Sequence, residues 1–455
     1  MRKFITMKSS TLFLSGLSLV PAVQSCLLPR ELEAEREYRL TGRWPDDLRQ
    51  PVVRRQSNHV DYGIGKGDRF EGGDVTPRGL GIDDRNLESI LNINEVNSAL
   101  RGLENTFDSV SVFAAPFKTF ENRTVYGATI GENPRVFIQG GLHARERGSS
   151  DNVIYAIADL LQAQKDGTGL KYGAKTFSNE QVNLALSAGA VILPLNNPDG
   201  VLFDAETNSC WRKNRNATSS TPGRPRSVGI DINRNFDFIW EYLRYFSPKA
   251  NLGSAASDNP ESEIFHGLSP ASEAEARNTV WVEDSNPDLS WYIDVHSYGG
   301  DVLYGWGIDD MQTDDPPQNF GNSSYDGLRG VLGEDPPDAV YREYIDPDNL
   351  AAGIAVSGRL ASTISSAGNI EYVSRQSVSL YPTSGGSGDY TQSRYLLIDP
   401  GTRIKSLTLE FGKPSSSAAC PFYPNEAEYH NTVRQVSAGL VELLLAEAEA
   451  GTKGL

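Results

Sequence analysis

The sequence predicts an α/β fold: a mixed, mostly parallel central sheet with helices on both faces. Two observations carry this. The short, fully apolar stretches Ala190–Leu195 and Leu289–Val295 read as strands covered on both sides, since a sheet with one wet face alternates apolar and polar residues. Segments of helical periodicity lie between and beyond them, and strands alternating with helices make a layered sheet.

Taken in order, Asn92–Leu103 reads as a helix. Val125–Ile130 and Arg135–Gln139 read as paired strands around a Gly-Glu-Asn turn. Ser149–Gln164 is a helix with a Ser at its start and Val153, Ile154, Ile157, Leu160 and Leu161 at core spacing. Ala271–Glu283 and Asn349–Ser366 read as helices and Lys405–Phe411 as a strand. Glu426–Glu447 is a long terminal helix with Val433, Val436, Leu440, Leu443 and Leu444 along one side. The stretch Asp309–Asp338 is rich in Asp, Pro and Gly and reads as an inserted surface loop. Neither a repeat nor a linker interrupts Gln56 to the end, so one domain is expected.

Of 455 residues, 59 are Asp or Glu and 42 Lys or Arg, a net charge of −17. A phosphate-binding surface needs excess cations, so nucleic acid and anionic membranes are excluded as main partners. Three cysteines cannot build a four-cysteine zinc site. Residues 1–25 carry a basic start (Arg2, Lys3, Lys8), an apolar stretch Thr11–Val23 and small residues before Cys26, the pattern of a secretory signal peptide. The apolar run is shorter than the roughly 20 residues a membrane span needs. Asn122, Asn216 and Asn322 begin sequons, which fit a secreted glycoprotein. From Arg30 to Arg55, 13 of 26 residues are charged and Arg54-Arg55 closes the run. With little apolar surface to bury, residues 26–55 read as a pro-segment cut after the dibasic pair. That leaves a mature domain from 56 to 455 with its core at about 85–450.

His143 and Glu146 follow a predicted strand, three residues apart, and would face the same way on one helical turn. His296 ends another apolar strand. Open α/β sheets place ligand sites at such carboxyl ends, and His with Glu suits zinc. Spacing alone leaves two buried core histidines as an equal reading.

The chain resembles the carboxypeptidase A-like zinc metallocarboxypeptidases. The matching motifs are His143-Ala-Arg-Glu146, Asn197-Pro-Asp-Gly200, Trp211-Arg-Lys213, Asp231-Ile-Asn-Arg-Asn235, Phe265-His-Gly267, His296-Ser-Tyr298, Tyr381 ahead of Ser384-Gly-Gly-Ser387, and Leu409-Glu-Phe411. They stand in the family's order over about residues 85–450. The resemblance implies one Zn2+ held by His143, Glu146 and His296, with a water in the fourth place. It implies Glu410 as general base and Arg212 as the cation that polarises the scissile carbonyl. Asn233, Arg234 and Tyr381 would grip a terminal carboxylate, Arg145 would be a further substrate-side arginine, and Asp231 would orient a ligand His. Gly388, just before Asp389, would floor the specificity pocket, lined further by Leu303, Gly307, Leu380, Thr383 and Thr408. That neutral pocket implies apolar or aromatic terminal residues, unless Asp301 or a carboxylate of the 309–338 segment reaches into it.

The implied protein is a secreted, monomeric exopeptidase acting on peptide and protein C-termini. The alternative is an inactive zinc-binding relative that recognises C-termini without cutting; such relatives usually lack the general-base Glu. The family's Ser-Tyr counterpart implies a cis peptide at Ser297-Tyr298. Cys210 and Cys420 fall on segments expected to border the site and could pair, although free thiols or a pair with Cys26 fit the sequence as well. Three features depart from the family. Arg147 replaces an aromatic residue, where a salt bridge or an altered outer subsite would follow. The stretch between Gly307 and Tyr381 is long. The roughly 30 residues before Arg55 are too few for the family's folded inhibitory pro-domain, so an unfolded pro-segment is expected.

Overall fold

Eight strands make one sheet in the computed structural model, which describes residues 26–45, 60–333, 341–398, 403–415 and 418–453. The proposed leader and Arg54-Arg55 lie outside the described residues. In chain order the strands are β1 Val110–Ala114, β2 Tyr126–Ile130, β3 Val136–Gly140, β4 Ala190–Leu193, β5 Trp291–Ser297, β6 Asp301–Tyr304, β7 Val373–Gln376 and β8 Lys405–Phe411. Their spatial order is β1-β2-β4-β3-β5-β8-β6-β7. The central strands β4, β3, β5 and β8 are parallel, whereas the pairs β1–β2, β2–β4 and β8–β6 are antiparallel. Every residue of β3, β4 and β5 is buried. This is the physical meaning of their unbroken apolar sequences.

The helices longer than one turn are α1 Pro29–Thr41, α2 Ile93–Thr106, α3 Ser149–Asp166, α4 Asn179–Ser187, α5 Pro198–Thr207, α6 Ala274–Ser285, α7 Pro347–Ala367, α8 Ser387–Leu397 and α9 Glu426–Lys453. Side chains alternate across the sheet. Val136, Ile138, Ile293 and Val295 join the large core that includes the buried faces of α2, α3, α7 and α9. Phe137, Val191, Leu193 and Tyr292 point the other way, toward Val282 of α6 and Leu289. Val433, Val436, Leu440, Leu443 and Leu444 of α9 are buried in the large core, each contributing roughly 1.5–3 kcal/mol. Among the described residues no helix is long and apolar enough to cross a membrane.

Three expectations need correction. β2 and β3 are not a hairpin: β4 lies between them and pairs with both. The intervening turn cannot zip up, because Pro134 has no N–H and the Arg135 N–H donates to Ala188 and Gly189, just ahead of β4. The antiparallel partner of β2 is instead β1, a strand the periodicity did not reveal. Second, the described part of the charged N-terminal segment, residues 26–45, is not unfolded. It forms α1 and buries Leu27, Ala34 and Trp44.

Third, the 309–338 segment is not merely a surface loop. Its residues 309–333 pack Phe320 against Trp306 and Phe238, and Asp309 and Arg329 are buried. Asp309 accepts from the N–H groups of Asp310 and Gly330. Glu343 accepts from Phe320 N–H at 2.9 Å and from the Tyr341 hydroxyl.

Burial, with Asp310 adding, pushes the Asp309 carboxyl up to about 7; burial, with Asp309 adding, pushes Glu343 up to about 8. Acids with raised folded-state pKa values stabilise the fold while protonated, and that stability is lost as pH rises through 7–8. Hydrogen exchange at 318–330 should therefore be faster at pH 9 than at pH 6 after correction for intrinsic rates. Glu343→Gln should flatten the difference, and equal protection at both pH values would count against it.

Candidate metal centre and active site

The site sits at the shared carboxyl edge of the four parallel strands. β3 ends in Gly140-Gly141, where backbone must pass close to the neighbouring loop. A Cβ on Gly140 would lie 3.0 Å from Ser149 Oγ, and Gly141 has φ +62°. Gly141 N–H donates to Ser149 Oγ (2.9 Å), which donates to Val295 O (2.7 Å). The loop carrying His143 and Glu146 is thereby tied to the end of β5 and the start of α3. That loop is a series of turns rather than the helical turn the spacing suggested.

His143, Glu146 and His296 converge, with ligand atoms within 4.8 Å of one another, and all three are buried. Glu146 stands between the imidazoles. Its Oε1 is 2.7 Å from His143 Nδ1 and its Oε2 is 2.9 Å from His296 Nδ1. The far nitrogens face carboxylates: His143 Nε2 lies 3.1 Å from Asp231 Oδ1, and His296 Nε2 lies 2.9 Å from Asp294 Oδ2. Both rings thus aim Nδ1 at the same point, with Nε2 held from behind. Two nitrogens and one carboxylate suit zinc, with an open fourth position.

Asp231 also accepts from Arg212 Nε (3.1 Å) and Nη2 (3.0 Å). Burial disfavours its charge, but Arg212 and His143 outweigh this and hold the carboxyl far below the usual range. Arg212 keeps Nη1 without a hydrogen bond among the described residues, 3.7 Å from Glu146 Oε1. It is a buried donor aimed at the site. Asn197 steadies this side: its Nδ2 donates to Leu142 O (3.0 Å) and Lys213 O (3.3 Å), joining the His143 loop to the Arg212 loop.

Glu410 lies on β8 directly opposite His296 of β5. Burial, reinforced by Glu146 and Asp301 against His296 and Arg212, pushes its carboxyl up to about 7. Such a group can both take and return a proton near neutrality. The Ser297-Tyr298 bond beside it is cis, as expected. Asn233, Arg234, Tyr381 and Gly388 line the same pocket as Glu410 and the three candidate ligands. Asn233 is fixed by Ser387 N–H on its Oδ1 (2.8 Å), and Arg234 donates to Asn233 O (2.7 Å) and Ser254 O (3.1 Å).

Leu303, Leu380, Thr383 and Thr408 line the pocket as expected. Gly307 stands behind it, its N–H on Asp389 (2.8 Å). Asp301 does not reach in; it pairs with Arg375. Cys210 and Cys420 are joined, with Cα atoms 5.6 Å apart. Arg147 makes a salt bridge, not a subsite: it holds Asp204 (2.9 Å) and stacks on Tyr423.

The sequence reading missed Asp294. The signal was there: Asp294 and His296 are two apart on a strand and share a face. It also missed that Cys26 lines the pocket and that Glu31 pairs with Arg145.

A buried sheet edge presenting two imidazoles, a bridging carboxylate, a second buried carboxylate and an arginine with a spare donor has the make-up of a single-metal centre. The chain belongs to the zinc carboxypeptidase family, which matches residues 96–436. It is 31% identical to carboxypeptidase A4 of Mus musculus over 195 residues, 42% of this chain and 40% of that protein. It is 27% identical to carboxypeptidase B of Astacus astacus over 246 residues, 52% of this chain and 72% of that one. It is 30% identical to the inactive metallocarboxypeptidase ECM14 of Ajellomyces dermatitidis over 218 residues, 45% of this chain and 32% of that protein. The similarity thus spans about two fifths of the length of the mouse relative. Among solved structures, carboxypeptidase A of Helicoverpa armigera shares the fold, with a TM-score of 0.57 and 24% identity over 80% of this chain and 75% of that one.

Asp294 accepts from Ser387 Oγ (2.7 Å) and Gln139 Nε2 (3.2 Å) besides facing His296. Asp294→Asn should keep the fold and weaken zinc binding roughly 10–100-fold, measured by competition with a chelator. Unchanged affinity would remove Asp294 from the metal's support.

Proposed function

We propose that the protein is a secreted zinc-dependent carboxypeptidase that hydrolyses the last peptide bond of peptides and proteins, favouring apolar or aromatic terminal residues. The observation that carries this is one pocket combining three candidate zinc ligands, Glu410, Arg212 and the set Asn233, Arg234 and Tyr381. Zinc held by His143, Glu146 and His296 would act as a Lewis acid and lower the pKa of bound water. Arg234, with Asn233 and the Tyr381 hydroxyl, binds the substrate's terminal carboxylate, which an internal peptide bond lacks. The free Nη1 of Arg212 donates to the scissile carbonyl oxygen as it gains charge. Glu410 accepts the proton of the attacking water and delivers it to the leaving amine. Asp231 holds Arg212 and His143 in register.

Gly388 supports the apolar preference. A Cβ there would meet nothing nearer than Ser406 Oγ at 3.4 Å, so the missing side chain leaves its space to a substrate group. The carboxylate beside Gly388, Asp389, is tied to Gly307 N–H, and burial pushes it up to about 7. A buried cation needs a charged partner, and the groups nearest a Cβ at Gly388 are the neutral Ser406 and Thr408. The Cys210–Cys420 bridge supports an oxidising compartment. Among the sequons, Asn122 is exposed, whereas the Asn216 amide is engaged by Glu273 (3.0 Å), which favours Asn122 as the glycan site.

The inactive relative suggests a second reading, a C-terminus-binding protein without turnover. The buried Glu410 beside the metal ligands favours turnover. Glu410→Gln should retain zinc and lower kcat on a blocked dipeptide roughly 10²–10⁴-fold; turnover at the unaltered rate in the well-folded variant would remove Glu410 from the mechanism. Matched substrates ending in Phe and Arg should differ at least roughly 10-fold in kcat/KM in favour of Phe. A preference for Arg would overturn the pocket assignment and leave the zinc site untouched.

A further inference from the structure

We propose that the tip of the β1–β2 loop is a modification site: Asn122 carries an N-linked glycan, and its first N-acetylglucosamine packs on the ring of Phe120. The inference rests on the secreted reading and goes beyond it by naming the side chain that receives the sugar.

The loop is built as a firm platform. At its base Ala115 N–H donates to Val125 O (2.9 Å). At its tip Asn122 N–H donates to Thr119 O (2.9 Å), Thr119 N–H to Arg123 O (3.0 Å) and Arg123 N–H to Thr119 Oγ1 (3.0 Å). Asn122 has φ +66°, the left-handed conformation that Asn tolerates better than most residues. Asp199, buried in the first turn of α5, holds the tip from beneath. It accepts from Thr119 Oγ1 (2.9 Å), Glu121 N–H (2.8 Å) and Arg123 Nη1 (2.7 Å). The turn is therefore ordered before any sugar arrives, and a contact across it costs little further entropy.

Asn122 is exposed at this tip, and Phe120 beside it keeps 52% of its surface in water. Being two residues apart, they have Cα atoms within about 7 Å of each other, less than the combined reach of a phenylalanine and a sugar-bearing asparagine. Thr124 supplies the sequon hydroxyl, and neither Arg123 nor Val125 is a proline. In the other two sequons the asparagine amide is engaged. Asn216 Nδ2 donates to Glu273 (3.0 Å), and Asn322 Nδ2 donates to Pro317 O (2.9 Å). In the transfer, Asn122 Nδ2 bonds to the anomeric carbon of a lipid-diphosphate-linked oligosaccharide. The carbon–oxygen bond to the diphosphate breaks, the diphosphate leaves with the electron pair, and the amide gives up one proton. One face of the attached sugar carries mainly C–H groups, whose weak positive charge suits the negative face of a phenyl ring. Covering the Phe120 ring also takes apolar surface out of water.

The test uses the full chain secreted from eukaryotic cells. Glycopeptide mass spectrometry should find Asn122 occupied, and Thr124→Ala, which leaves Asn122 in place, should abolish the occupancy. After enzymatic trimming to a single N-acetylglucosamine, the acetyl methyl resonance that Thr124→Ala removes should lie upfield of that of free glycosylated asparagine, through the ring current of Phe120. Phe120→Ala should cancel that shift. Thr124→Ala should also lower Tm by roughly 1–2 °C, and by less than half as much in a Phe120→Ala background. An occupied Asn122 whose methyl resonance is the same with and without Phe120 overturns the contact. An unoccupied Asn122 in protein recovered from the medium overturns the site. If the chain's own leader does not deliver it to the medium, the secreted reading fails. The same chain behind a proven secretory leader then decides Asn122 by the same two measurements.

Discussion

The pairing register of β5 with β8 is the constraint on which the site depends. It sets Glu410 opposite His296, and the neighbouring register of β3 with β5 sets Gly140 opposite Val295. Both strands are packed against helices, so a one-residue slip would drive the apolar set of a strand to the wrong face. Core packing therefore fixes the separation of Glu410 and His296 before any polar contact is made. The polar contacts then only need to orient side chains whose origins are already set.

Those contacts are economical in one respect: each carboxylate serves two masters. Glu146 spans both imidazoles, Asp231 holds His143 with one oxygen and Arg212 with the other, and Asp294 faces His296 while taking Ser387 Oγ. Buried charge is costly when unpaired, and sharing keeps the number of desolvated groups low. It also couples the parts. Loss of Asp231 would free the His143 ring and the Arg212 guanidinium together.

Much of this was legible in the sequence, for reasons that differ by element. β4 and β5 could be read because burial on both faces forces an unbroken apolar run. The cis bond came through the resemblance, and the structure bears it out; the Cys210–Cys420 pair was one of several arrangements the sequence left open, and it is the one that forms. β1 was missed because its exposure alternates weakly, with only Val110 buried. The false hairpin arose because a short turn between two strands suggests pairing, whereas β4, some 50 residues later in the sequence, takes the place between them. α1 was misjudged for a deeper reason. Its docking relies on charged residues whose partners lie far along the chain, Glu31 with Arg145 and Glu35 with Ser262, and composition treats such residues as solvent-loving.

The Cys210–Cys420 bridge spans 210 positions and encloses β5, β6, β7 and β8 in one covalent ring. Asp231, Asn233, Arg234, His296, Tyr381 and Glu410 are all inside it, while His143 and Glu146 lie on the chain before it. A backbone nick anywhere within the ring, the long segment after Gly307 included, would leave two polypeptides still tied together through sulfur. The nicked molecule would migrate as one species on a gel run without reductant and fall into two pieces only with it. In that sense the bridge gives the half of the chain that carries His296 and Glu410 tolerance to partial proteolysis.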